Sequence, residues 1–422
     1  MTTTETSGRL LGGNRDFSLL WSGGAVSAIG STTSVVTYPL LVLAVTGSPA
    51  MVGLTMGVSM VVGMLAGLPG GVLIDRFDKK RMMLLLDLGR AITQGTIGLA
   101  FFGGWLSIPV VLVAIALESG MSAAFRSTEP TAVRLVVPRD LLAVALARNE
   151  ARGAAAMLAG PALGGLMFGI APWLPFLVDS ATYLISFMLI LGVRTSMRPT
   201  TDVDSDVGPA ESRNRTSGLE SLLEGLRFVW GQKFLRTTLL LVGGNNLISN
   251  AIAIVAIVLS QQRGDAEITT GLILTIASIG TLAGALIAPV TVRLLTVRTI
   301  LIANRLIWMA CIAAMLVVSN TYLVGALIAV MFFLGPTGGS ALATQQMRLT
   351  PEHMQGRGRA AYESITSLAS PLGVGAVGLG MEATSPELTI AAMVVWMGLM
   401  AAIAMLSPAV REGGSVRVGA RR

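Results

Sequence analysis

Apolar residues come along this chain in long runs, separated by short polar breaks. Twelve runs have spanning length: Phe17 to Val45, Met51 to Ile74, Met82 to Gly104, Ile108 to Phe125, Leu146 to Ile170, Trp173 to Val193, Thr237 to Ser260, Ile268 to Leu294, Thr299 to Ser319, Tyr322 to Thr344, Ala360 to Glu382 and Leu388 to Leu406. Each is near the ~20 residues a helix needs to cross a ~30 Å hydrocarbon core. Strands of a membrane barrel alternate polar and apolar residues, and these runs do not. An unbroken apolar segment satisfies its own backbone groups in lipid only as a helix. The predicted class is an all-α integral membrane protein with twelve transmembrane helices.

One long polar interruption, Arg194 to Gly218, falls between the sixth and seventh runs and divides the chain into two six-helix halves. After it, Leu219, Leu222, Leu223, Leu226, Phe228 and Val229 are interleaved with Glu220, Glu224 and Arg227. That is the pattern of an amphipathic helix lying along the membrane surface. Gly67-x-x-x-Gly71-x-Leu73-Ile74 aligns with Gly280-x-x-x-Gly284-x-Leu286-Ile287, pairing the second run with the eighth, as in a parallel repeat. The expected organisation is a tail over residues 1–16, a first bundle over 17–193, a linker over 194–236, a second bundle over 237–407 and a basic tail over 408–422.

Composition sharpens the picture. Of 422 residues, 53% are hydrophobic and only 13% charged, against roughly 25% charged in soluble domains; the mean hydropathy is +0.73. The net charge of +7 raises the question of nucleic acid. Yet Lys and Arg fall almost wholly in alternate loops, and the loops of the opposite side contain only Arg263, so the charge reads as an orientation signal. Both termini are then expected in the cytoplasm. Met1 to Asp16 is polar and the first run is too long for a signal-peptide core, so no cleavable leader is expected. The single Cys311 excludes an internal disulfide framework.

The loop Gly71-x-x-x-Asp75-Arg76-x-x-Lys79-Lys80-Arg81 resembles the cytoplasmic signature between the second and third helices of the major facilitator superfamily, with Asp78 where glycine is usual. The whole chain resembles the bacterial branch of enterobactin-type siderophore exporters and macrolide efflux proteins. The phrases that carry this are Thr46-Gly47-Ser48-Pro49-Ala50, Asp87-x-x-Arg90, Pro138-Arg139-Asp140-Leu141-Leu142, Gly160-Pro161-x-x-Gly164-Gly165 and Phe176-Leu177-x-Asp179. Two departures are visible: Ile29-Gly30-Ser31 lacks the acidic residue common in the first helix, and the fourth run offers Glu118 rather than an arginine. The resemblance implies the major facilitator fold, two pseudo-symmetric bundles around a midplane site. It also implies a cytoplasmic gate at Asp75, Arg76, Lys79, Lys80 and Arg81, and a kinked helix at Gly160, Pro161, Gly164 and Gly165 of a kind typical of exporters.

Ser27, Ser31, Ser34 and Tyr38 are spaced to share one face of the first helix. Glu118 and Ser122 in the fourth run, Asn245, Asn246 and Asn250 in the seventh, and Thr337, Ser340 and Thr344 in the tenth are polar at membrane depth. By the resemblance, these four helices line the central cavity. Glu118, read as about seven residues and roughly 10 Å inside the cytoplasmic end of its run, is the leading candidate for a proton site. Arg90 can pair with it or with Asp87; a permanent pair would make either contact structural. Asp179, Arg305 and Glu363 read as helix-end residues that snorkel or cap.

No phosphate-binding Gly-x-x-x-x-Gly-Lys-Ser/Thr loop and no His or Cys cluster for a metal occurs, so an enzyme, an ATP-driven pump and a cofactor are not expected. Met56, Met60 and Met64 step along one face of the second helix and suit bulky ligands of variable shape. The reading is a monomeric secondary transporter of a bacterial inner membrane. It exports a small, largely apolar organic compound (drug, siderophore or natural product) by alternating access, in exchange for protons. An uptake symporter or facilitator shares every architectural feature; a scaffold or lipid flippase is the alternative from another class.

Overall fold

The computed structural model describes residues 13–67, 77–197 and 218–414, and the described elements are helices. In chain order they are α1 (Arg15–Thr46), α2 (Pro49–Gly67), α3 (Lys79–Phe102), α4 (Ile108–Val136), α5 (Leu142–Ile170), α6 (Leu174–Leu191), α7 (Gly218–Gly231), α8 (Lys233–Ser249), α9 (Ile252–Gln262), α10 (Glu267–Leu294), α11 (Val297–Met315), α12 (Thr321–Phe333), α13 (Gly335–Leu349), α14 (Gln355–Ala383), α15 (Pro386–Leu406) and α16 (Pro408–Gly413). The seventh span is thus α8 and α9 with a break at Asn250 and Ala251. The tenth is α12 and α13 with a break at Leu334, just before Gly335-Pro336.

Eleven spans among the described residues are long and apolar enough to cross a membrane. α3 is outside that set although it is 24 residues long. Asp87, Arg90 and Gln94 dilute its apolar surface, and all three are buried, at 0%, 3% and 0% exposure. Large apolar side chains point outward instead: Leu85, Leu286, Val317 and Leu406 are 70%, 75%, 81% and 81% exposed. This is the distribution of a chain whose outer solvent is hydrocarbon, where ionisable groups turn inward.

Helix ends are set by local chemistry. The Asn14 side chain accepts from the Phe17 N–H at 3.0 Å and its amide donates to Val136 O at 2.9 Å, so one residue starts α1 and ties it to the end of α4. Gly47 ends α1 at φ 64°, with its N–H on Leu43 O. Asp78 caps α3 by accepting from the N–H groups of Lys80 and Arg81. Its φ of −62° is open to any residue, so the aspartate at the usual glycine position has a capping role.

Contacts divide the chain into two compact units. One holds Met1–Met51, Val58–Thr201 and Gly264–Thr275; the other holds Val52–Gly57, Asp202–Arg263 and Ile276–Arg422. In the first, α1 packs on α5 and α6, and α3 on α4 and α6. In the second, α8 packs on α14, α11 on α15, and α7 on α14. The amphipathic helix α7 is held there by Val229, 2% exposed, and by an ion pair of Glu224 with Arg357 at 2.6 Å, while Trp230 is 57% exposed.

Candidate functional site

The polar side chains of the first unit converge where α1, α3, α4 and α6 meet. Asp87, Arg90 and Gln94 follow the i, i+3, i+7 spacing that places them on one face of α3. Asp179 and Tyr183 stand one turn apart on α6, each 0% exposed. Glu118 is 7% exposed; its Oε1 accepts from Tyr183 Oη and from Ser122 Oγ, each at 2.8 Å, and its Oε2 has no partner among the described residues. Ser31 Oγ lies 2.9 Å from Tyr183 Oη.

A second cluster joins the same helices. Gln94 Nε2 donates to Asp179 Oδ2 at 2.8 Å and to Ser34 Oγ at 3.2 Å. Ser34 donates to the same carboxylate oxygen at 3.2 Å, and Tyr38 Oη donates to Gln94 Oε1 at 2.9 Å. The Arg90 guanidinium is ion-paired to Asp87 and lies 4.2 Å from the Phe125 ring centre and 4.3 Å from that of Tyr183. Cation–π contact of this kind steadies a desolvated charge. Arg90 therefore sits with Asp87, and the Tyr183 ring that it covers donates from its hydroxyl to Glu118.

Of the four α1 residues, Ser31, Ser34 and Tyr38 join these clusters, whereas Ser27 bonds within its own helix, to Gly24 O. In the second unit, Asn246 donates to Thr366 O and Asn250 to Ser370 Oγ, each at 3.1 Å, linking the seventh span to α14. The Oδ1 atom of Asn245 is buried without a partner among the described residues. Thr337 pairs with Thr291 at 2.9 Å, across α13 and α10, and Ser340 folds back on Pro336 O.

The sequence reading needs two corrections. Glu118 stands seven residues before the apolar run stops at Phe125, and α4 continues past that run to Val136, eighteen residues or about 27 Å beyond Glu118 at 1.5 Å per residue. Asp179 neither snorkels nor caps; it is sealed inside and accepts from three side chains, Thr182 being the third at 3.1 Å. Arg305 is likewise 2% exposed and donates to Leu301 O at 2.7 Å. Glu363 is exposed and pairs with Arg359 at 2.7 Å. Gln94 and Tyr183, which bridge the clusters, were missed, although Gln94 extends the Asp87-Arg90 spacing and Tyr183 follows Asp179 by one turn.

Asp75 and Arg76 of the expected gate lie outside the described residues. Lys80 Nζ reaches Leu191 O at 3.0 Å and Val193 O at 2.6 Å, and so caps the end of α6. Lys79 Nζ donates to Phe77 O at 3.1 Å, and Arg81 N–H contributes to the Asp78 cap. Gly160, Pro161, Gly164 and Gly165 are all buried within α5, which runs unbroken through the proline. A Cβ on Gly164 would meet Thr33 O at 2.8 Å, so this glycine sets how near α1 and α5 come.

Comparisons with known proteins agree with this architecture. A family model described as the Major Facilitator Superfamily matches residues 20–374. The chain is 24% identical over 397 residues to the multidrug efflux pump Tap of Mycolicibacterium fortuitum, covering 91% of this chain and 93% of that one. To the protein of the same name from Mycobacterium tuberculosis it is 27% identical over 221 residues, and it spans about half the length of that relative, with 50% of each covered. Among solved structures, the nucleoside transporter NupG matches with a TM-score of 0.72 at 12% identity, over 92% of this chain and 98% of that one. A bacterial homologue of the iron transporter ferroportin matches with 0.67 at 15%, over 95% and 99%. Those two likenesses concern the fold.

Proposed function

Because the chain belongs to the Major Facilitator Superfamily, we propose that it is a secondary active transporter that exports a small, largely apolar organic compound by alternating access in exchange for protons. The observation that carries this reading is Glu118: a carboxyl group in the middle of an apolar bundle, held by Tyr183 and Ser122 on one oxygen and bare on the other. An ionised carboxylate there costs several kcal/mol unless it is paired or hydrated. Taking up a proton removes that cost, so protonation and access to water are linked at this residue. A ligand that displaces water from the same oxygen competes with the proton, which is the requirement of an antiporter.

Export as the direction, and drug-like compounds as the cargo, are supported by the efflux pumps to which the chain is similar. The half-buried Met56, Met60 and Met64 offer soft apolar surface suited to such ligands. The expected setting is the inner membrane of a bacterium, with both termini in the cytoplasm and the bundle of residues 17–193 working with that of 237–407 as a monomer.

Inverted membrane vesicles with an acidic lumen test the reading. Vesicles containing the protein are expected to concentrate a fluorescent, uncharged apolar dye such as Nile red, and those with Glu118→Gln to lose gradient-driven accumulation. Dye uptake by right-side-out vesicles under an external acid gradient, with none into inverted ones, would refute export.

A further inference from the structure

Asp179 is fully buried, at 0% exposure, and the Glu118 reading leaves it unused. Its carboxyl oxygens meet only neutral groups: Gln94 Nε2 and Ser34 Oγ at Oδ2, and Thr182 Oγ1 at Oδ1. No Lys or Arg lies within ion-pair distance among the described residues. The charged groups that act on it from farther away are Glu118 on α4, of like sign, and Arg90 on α3, which is already paired with Asp87. The other titratable groups facing it are Tyr38 on α1, whose hydroxyl is committed to Gln94, and Tyr183 on its own helix. A buried carboxylate with no countercharge is costly, and the simplest remedy is neutralisation.

The hydrogen positions have room for that proton. Thr182 has one hydroxyl hydrogen and two acceptors within reach, Asp179 O at 2.7 Å and Asp179 Oδ1 at 3.1 Å. Given to the nearer carbonyl, the hydrogen leaves the threonine oxygen able to accept from a protonated Oδ1. Oδ2 then continues to accept from Gln94 and Ser34, and every group in the cluster is satisfied.

We propose that Asp179 is a second proton-binding site, which holds its proton while α1 is packed on α6 and releases it to water when the two helices part. The seal is Gly30: a side chain there would collide with Asp179 Oδ1 and Thr182 Oγ1, so α1 covers the carboxyl group with bare backbone. Ser31 and Ser34, one turn apart on that helix, touch Tyr183 and Asp179 respectively. A shift of α1 therefore disturbs Glu118's partner and Asp179 together. Only an O–H bond breaks on release, and the acceptor is water. The proposal rests on the transport reading for its purpose, but its test does not.

Infrared spectra of the purified full-length chain at neutral pH, compared with Asp179→Asn and Glu118→Gln, decide the matter. The expected result is a protonated-carboxyl C=O band present in wild type and in Glu118→Gln and absent from Asp179→Asn. Thr182→Val, which keeps the volume but removes the acceptor, should move that band to the frequency of a carboxyl group without a hydrogen-bonded proton. No such band in wild type, or a band indifferent to both Asp179→Asn and Thr182→Val, would overturn the proposal and leave the transport reading untouched. Conversely, a protein with the band that moves no dye under any gradient would refute transport and leave the proton assignment in place.

Discussion

Two alanine substitutions in α5, Gly164→Ala and Gly153→Ala, add the same methyl group to the same helix and are expected to act in opposite directions. At Gly164 the new carbon would lie 2.8 Å from Thr33 O and 3.2 Å from Thr33 Cα and Cβ. Two of those three atoms are backbone and cannot rotate away. Restoring an ordinary contact of 3.4 Å requires the helices to separate by about 0.6 Å at that point. Overpacking of this kind costs about 1–3 kcal/mol. At Gly153 nothing lies within 4 Å, so the methyl group meets open space.

Both variants gain the helix propensity of alanine over glycine, about 1 kcal/mol, and that gain cancels in the comparison. Gly164→Ala should therefore be less stable than Gly153→Ala by about 1–3 kcal/mol, with wild type between them. Thermal unfolding of the detergent-solubilised proteins at one fixed scan rate ranks the three. A melting temperature for Gly164→Ala equal to or above that of Gly153→Ala would refute the claim that the α1–α5 approach is limited by this residue.

Tyr183→Phe keeps the ring that faces Arg90 but removes the donor to Glu118 Oε1, and should cost about 1–3 kcal/mol; unchanged melting and unchanged dye efflux would show that the 2.8 Å bond has no energetic weight. Asp87→Asn leaves the Arg90 charge buried with only neutral partners and should cost about 3–5 kcal/mol. Combining it with Arg90→Met should recover much of that loss. Simple additivity of the two losses in the melting data would argue against a coupled pair.

The sequence made the spans legible because lipid demands long uninterrupted apolar stretches, and only the third, with Asp87, Arg90 and Gln94, falls short on hydropathy. What apolarity could not mark was where helices end. Arg126, Glu129 and Arg134 close the apolar run of the fourth span, yet α4 continues through them to Val136, because a helix leaving the bilayer needs polar residues rather than a stop. Asp179 and Arg305 were misjudged because position along a helix does not say which face turns inward. Ser31, Ser34 and Tyr38 were found from their spacing alone, but their partners Tyr183, Asp179 and Gln94 are far away in the chain, and pairings across helices are set by packing. The breaks at Asn250 and Leu334 were passed over because each lies inside one spanning apolar run, although Gly335-Pro336 directly after Leu334 is a helix-breaking signal.

Those two interruptions both belong to the second unit, while the described helices of the first stay continuous even through Pro39, Pro130 and Pro161. Each broken span has a joint at which a few torsions can change without melting the rods on either side. The described helices of the first unit have no such joint, and each moves as a whole rod. Motion within the first unit is then one rod against another, α1 against α6 for instance, whereas the second unit can also bend at its own joints.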